Sequence, residues 1–307
     1  MESRQTSSPS NEYLYGQPLY PAAPLSWLAP LWFFLCGVAA SGGWAWTGSN
    51  LLKLLLGLLL AGPLLGLAWG AVLSLLKGSS TLIYRWASMA DDPPANAASS
   101  TVAKLPYTLP GSASHRLARR LATVLAWWQQ AKTDLQRPLL QMTVSTVFAL
   151  AVAAQLGRAS AGLTALGLLA AHASGLSQRH WGLSPAALVS LPLLLAWLLG
   201  HAVFSVLRPA SAIVAASFAL SLAGSFALYR GLKPLAWQIA PQVIAAASLV
   251  LVKQPVAAAV VALLGTPQLL LVSLLASPAN RERYFSSVQF YLAASTFIAA
   301  LALGYKP

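Results

Sequence analysis

Long apolar runs alternate with short polar breaks from residue 25 almost to the last residue. They cover 25–46, 51–76, 139–156, 160–177, 185–207, 209–229, 235–252, 255–276 and 286–304. Each is long enough, or nearly so, for a helix to cross the hydrocarbon core, which takes about 20 apolar residues. The apolar positions are continuous and do not alternate with period two, which predicts helices and not barrel strands. The third and fourth runs are short, and only Gly157, Arg158 and Ala159 part them. The pattern predicts an all-α polytopic membrane protein of about nine transmembrane helices.

Two segments depart from this rhythm. Residues 1–24 are polar, with Pro18, Pro21 and Pro24, and read as an extended tail ahead of a single membrane domain over 25–307. They lack the charged-then-apolar pattern of a cleavable leader, so insertion is expected to begin with the first span. Residues 77–138 form the one long loop. Its ADDPPANAASS stretch is rich in breakers and reads as irregular. Its second half places Leu117, Leu121, Val124, Leu125 and Trp128 at helical spacing, with Arg116, Arg119, Arg120 and Thr123 largely on the other side. This predicts an amphipathic helix over about 114–132, lying in the interface with Trp127 and Trp128 at headgroup depth. The alternative is a packed connector helix.

Composition agrees with the pattern. The 307 residues are 57% hydrophobic and 8% charged, against about 25% charged in a soluble domain. The mean hydropathy is +0.66. The net charge is +13, and it points to loops and to anionic membrane lipids, not to nucleic acid, because the cations form no RNA-binding motif. With the N-terminus in the cytoplasm, nine spans put 14 of the 19 cations on the cytoplasmic side and 5 on the other. That bias predicts N-terminus in and C-terminus out. The single Cys36 lies in an apolar run and forms no internal disulfide.

The first two spans carry a more specific signal. Trp27, Pro30, Trp32, Phe34, Cys36, Gly37, Ala40, Ser41 and Gly42, followed by Ala61, Gly62, Pro63, Leu64 and Leu65, resemble the opening of (bacterio)chlorophyll synthases. Those enzymes belong to the UbiA-type prenyltransferase superfamily. The end of the chain, with Ser277, Pro278, Arg281, Arg283 and Tyr284 before the last span, is similar to the last helices of the same group. The resemblance implies a UbiA-like bundle of nine helices with a cytoplasmic N-terminus. The 77–138 loop lies outside it.

That family ionises an allylic diphosphate, and Mg²⁺ on the leaving group wants hard carboxylate oxygens. The resemblance implies two aspartate-rich motifs to supply them, one after the second helix and one after the sixth. Counted without gaps from Gly62, the first motif's three aspartates fall on Ser74, Lys77 and Thr81. The second motif's place reads YRGLKPLAWQ, Tyr229 to Gln238, without an acid. The whole chain holds only Glu2, Glu12, Asp91, Asp92, Asp134 and Glu282. Asp91 and Asp92 precede two prolines and read as a solvated loop feature. No Mg²⁺–diphosphate site is expected.

What the scaffold retains is a handful of polar residues at membrane depth, the usual functional leads. His172, His201 and His180 are candidate axial ligands for the Mg of a chlorophyll, which a neutral imidazole nitrogen can coordinate. The plainer reading of each is a histidine hydrogen-bonded between helices. Gln141, Gln155, Gln242, Gln268 and Gln289 can bind helices together, and Gln242 and Gln268 each follow a proline. The expectation is a catalytically inactive, chlorophyll-synthase-like membrane subunit, a pseudoenzyme that packs with other membrane subunits of a photosynthetic reaction-centre or antenna complex. It would hold (bacterio)chlorophyll, carotenoid, quinone or lipid. The alternatives are a divergent prenyltransferase, a pigment-synthesis scaffold or carrier, and a transporter, which the lack of acids inside the spans disfavours.

Overall fold

The computed structural model describes residues 28–45, 47–72, 113–181, 185–229, 235–277 and 280–305. The tail over 1–24, Ser74, Lys77, Thr81, Asp91 and Asp92 lie outside them. Among the described residues there are nine helices: α1 (Leu28–Ser41), α2 (Gly48–Val72), α3 (Ala113–Leu156), α4 (Arg158–Trp181), α5 (Pro185–Phe204), α6 (Pro209–Tyr229), α7 (Ala236–Leu251), α8 (Pro255–Leu270) and α9 (Arg281–Gly304). No strand occurs among these residues. The chain is a helical polytopic membrane protein.

Five stretches are long and apolar enough to cross a membrane: α2, Gln136–Leu156 of α3, α6, α8 with its extension to Leu275, and α9. Leu28–Ser41, Val189–Phe204 and Ala236–Leu251 are apolar but shorter. Helix α4, which covers the expected fourth span, belongs to neither group. Ser160, Thr164, His172, Ser174, Ser177, Gln178 and Arg179 lower its hydropathy.

The expected break between an interfacial helix and the third span is not there. Residues 113–156 form one helix of 44 residues that runs through Pro138. No glycine occurs between residues 113 and 156, and a lone proline removes one hydrogen bond without forbidding the helix on either side. In α2 the cost of Pro63 is met differently: Leu60–Leu64 widen into a π turn, which relieves the proline ring's clash with the preceding turn. Helix α3 ends at Gly157, whose φ of +122° favours glycine.

The chain divides into two compact units, residues 1–66 with 146–307, and residues 67–145. The second contains the end of α2 and the larger part of α3. In the first, side-chain and backbone contacts fix the helix directions. Phe33 of α1 and Trp44 just beyond its end meet Trp197 and Phe204 of α5, so these helices run parallel. Trp32 meets Phe297, and Ala39 meets Gly304, so α1 and α9 are parallel too. Helix α6 runs against α9: the Arg208 guanidinium donates to the Leu303 carbonyl at 3.3 Å, while Tyr229 packs on Phe285 at the other end. The start of α1 and the end of α9 therefore lie at opposite ends of this unit.

Glycine makes the closest approaches possible. A methyl group at Gly37 would land on the Trp197 carbonyl, and one at Gly304 on the Ala39 carbonyl. Helix α6 is the central element. Ser211, Val214, Ala215, Ser217, Phe218, Ala219, Ser221 and Ala223 to Leu228 are all buried along it.

Candidate functional site

The main polar feature of the first unit is a group of neutral side chains from four helices. Gln238 and Gln242 stand one turn apart on α7, and the α7–α8 hairpin brings Gln268 against both. The Gln268 Oε1 accepts from Gln238 Nε2 at 3.0 Å and from Gln242 Nε2 at 2.8 Å. In return Gln268 Nε2 donates to Gln242 Oε1 at 3.2 Å and to the Leu264 carbonyl at 3.3 Å. From α9, the Tyr284 hydroxyl donates to Gln238 Oε1 at 2.6 Å.

Helix α6 closes the group. A Cβ at Gly224 would collide with the Trp237 carbonyl, so the glycine allows α7 to lie close. Ser221 Oγ then donates to the Gln238 carbonyl at 2.7 Å and accepts from Gln242 Nε2 at 2.9 Å. Gln238 and Tyr284 are fully buried, and Gln268 nearly so. A carboxamide brings two donors and one oxygen acceptor. Both amide hydrogens of Gln242 and of Gln268 have acceptors, and all three side-chain oxygens have donors. The group carries no net charge, and apart from the second hydrogen of Gln238 Nε2 its side-chain donors and acceptors are paired, as a low-dielectric interior favours for buried polar atoms.

Its position is informative. Gln238 and Tyr284 lie in the first turns of α7 and α9, and Gln268 in the last turn of α8, so the group sits at the end of the unit where α1 also begins. This is the end reached by the C-terminus of α6, after which the resemblance places the second aspartate-rich motif. Of Tyr229 to Gln238, the described residues are Tyr229 and 235–238, and the last of them is committed to the amide group. Among the described residues there is no cluster of three or more His, Cys, Asp and Glu able to hold a metal.

A second polar group lies at the opposite end. Trp197 Nε1 donates to Ser211 Oγ at 2.9 Å, Ser211 Oγ contacts His201 Nδ1 at 3.2 Å, and His201 Nε2 contacts the Val206 carbonyl at 3.0 Å. A carbonyl only accepts, so Nε2 carries the hydrogen, and the neutral ring takes the Ser211 proton at Nδ1. Both nitrogens of this fully buried ring are engaged. Coordination of a metal by His201 would require one of these bonds to break.

His172 differs. It is half-buried on α4, and its Nδ1 lies 2.7 Å from the Leu168 carbonyl. That bond makes Nδ1 the donor and leaves the Nε2 lone pair directed elsewhere, with no hydrogen-bond partner among the described residues. The same arrangement orients histidine ligands of metals generally. His180 belongs to α4, but its side chain lies outside what is described. His172 and His201 share no hydrogen-bond partner. Gln242 and Gln268 are brought together with Gln238, Ser221 and Tyr284, to which sequence reasoning gave no role of this kind.

Comparison with known proteins gives one curated relative, the bacteriochlorophyll synthase 34 kDa chain of Chloroflexus aurantiacus (strain ATCC 29366 / DSM 635 / J-10-fl). The two are 30% identical over 207 residues, 66% of this chain and 54% of the relative. The chain spans about half the length of that protein. A chlorophyll-synthase-like relationship follows from this similarity together with the membrane helices. No family model matches the chain, and no solved structure matches it.

Proposed function

We propose that this protein is a non-catalytic, chlorophyll-synthase-like membrane subunit that packs against pigmented partner proteins of a photosynthetic complex. The observation that carries the proposal is the missing charge. The chain has no acid between Asp134 and Glu282. Mg²⁺ is held through hard anionic oxygens and the phosphates themselves, and the interior at the relevant end offers carboxamides already paired with one another. Orienting the chain by its cations puts that end, and the N-terminus, on the cytoplasmic side.

For pigment, the proposed ligand is His172. Its Nδ1–H is fixed by the Leu168 carbonyl, and Nε2 is the atom that would meet the Mg of a (bacterio)chlorophyll. That group would supply light absorption; the chain's own part is to present the nitrogen in a fixed direction. Leu169, one turn before it on α4, is 69% exposed and offers apolar area for a macrocycle, a carotenoid, a quinone or a lipid tail.

The test is purification from native membranes in mild detergent, with the absorption spectrum and the stoichiometry of accompanying polypeptides recorded on one sample. The expected result is bound chlorin and reaction-centre or antenna polypeptides in fixed ratio. A colourless, solitary chain that transfers a prenyl group to a chlorophyllide in the presence of Mg²⁺ overturns the proposal and establishes a divergent prenyltransferase.

A further inference from the structure

The first part of α3 presents an apolar stripe to the outside. Leu117, Leu121, Val124 and Leu125 are 61%, 46%, 41% and 44% exposed, and they fall on one side of the helix by its period of 3.6 residues. Trp128 continues the stripe at 54% exposed. Arg120 is exposed along its margin and Lys132 one turn past its end, and over 113–137 the sequence carries Arg116, Arg119, Arg120, Lys132 and Arg137 against Asp134 alone. An exposed apolar stripe with cationic margins has the composition of a surface that enters an anionic headgroup layer. The same helix becomes the candidate span Gln136–Leu156 two residues before Pro138. Leu139 and Leu140, at 42% and 64% exposed, carry apolar surface across that joint. A helix kinks most readily at a proline.

We infer that Leu117–Trp128 docks onto the anionic lipid headgroups of the membrane that α3 itself crosses, the helix bending at Pro138 to lay the stripe down. The occupant is the lipid surface and not a second copy of the chain, because two copies would bring the same cationic margins together. Bending is required. A straight helix would carry Leu121 roughly 20 Å beyond Gln136 at 1.5 Å per residue, well past the screening distance of about 8 Å at physiological salt.

The full chain tests this in vesicles of phosphatidylcholine alone and of phosphatidylcholine with one quarter phosphatidylglycerol. An environment-sensitive dye is placed at Leu121→Cys, the native Cys36 being buried, and in a second sample at Thr123→Cys on the other side of the helix. In anionic vesicles the dye at 121 should be quenched by headgroup-attached nitroxide at least threefold more than the dye at 123. That difference should shrink at least twofold in high salt, in Pro138→Ala, and in the combined Arg116→Gln, Arg119→Gln and Arg120→Gln variant. Both variants sit outside the amide group, and an unchanged melting temperature shows that each is folded. Equal quenching at 121 and 123, or equal quenching in both lipid mixtures, overturns the inference. So does a dye at 121 that becomes shielded only in native membranes, which would assign the stripe to a protein partner.

Discussion

Gln268→Leu removes the centre of the amide group while keeping a side chain of similar size. The three hydrogen bonds that link Gln268 to α7 disappear. Side-chain hydrogen bonds between membrane helices average about 0.6 kcal/mol, which sets a floor of about 2 kcal/mol. The change also leaves Gln238 Nε2, one hydrogen of Gln242 Nε2 and Gln242 Oε1 facing a methyl-bearing side chain. An unsatisfied buried polar group costs about 1–3 kcal/mol, and partial re-pairing of Gln238 with Gln242 recovers some of that. The expected loss is about 2–4 kcal/mol, or a fall in melting temperature of roughly 5–10 °C.

The measurement is thermal unfolding of the purified chain in one detergent, with Gln155→Leu, at an exposed position of α3, as control at about 0.5 kcal/mol or less. Tyr284→Phe alone removes one bond and should cost about 1 kcal/mol. Because Tyr284 and Gln268 both act through Gln238, the double variant should lose less than the sum of the singles. Two results refute the reasoning. One is a Gln268→Leu variant that melts with the wild type. The other is a Gln268→Glu variant that is stabilised by Mg²⁺, for then the group would be a cation site in waiting and not a closed neutral lock.

His172→Leu should abolish the chlorin absorption band of the purified protein at unchanged melting temperature. His201→Leu should keep the band but lower the melting temperature, since it strips partners from Ser211 and the Val206 carbonyl; the opposite pattern would exchange their roles. Ser211→Ala should cost about 1–3 kcal/mol by leaving Trp197 Nε1 and His201 Nδ1 unpaired, read from the same melts. Gly37→Ala drives a methyl into the Trp197 carbonyl where α1 and α5 touch along their backbones, and should prevent recovery of monodisperse protein in gel filtration, whereas Gly66→Ala, with nothing near its Cβ, should behave as the wild type.

The helices were legible because lipid leaves the backbone so few choices: an apolar run of span length must be helical. What failed was punctuation. The pattern separates a helix over about 114–132 from a span that starts at 139, but with helix formers on both sides of Pro138 one lost hydrogen bond does not stop α3. The amide group was partly legible. Gln238 and Gln268 stand equally far from Lys253, the centre of the α7–α8 turn, whose φ is +62°, so antiparallel pairing puts them opposite each other. Gln242 lies one turn along the same face of α7. The contributions of Ser221 and Tyr284 come from helices whose lateral order no local pattern encodes, and they depend on Gly224 letting α6 and α7 close up. Histidine identity likewise said nothing about which ring nitrogen would be free. That was decided by carbonyls four and five residues away, at Leu168 and Val206.

The two polar groups argue together for a scaffold whose interior is organised around neutrality. A carboxylate buried among four apolar helices is held in place only by a cation or by several donors. A bundle built around Mg²⁺ would therefore lose both its anchor and its stability when the acids are removed. Among the described residues at the end of the bundle expected to carry acids, Gln238, Gln242, Gln268 and Tyr284 instead pair with one another through neutral hydrogen bonds. Restoring acids at single positions such as Gln238 should consequently destabilise the chain and not reawaken chemistry. On the proposed reading, the energy that an enzyme commits to holding a metal open to substrate is here used to fix α6, α7, α8 and α9 against one another, as a subunit that presents surfaces, and not a reaction, requires.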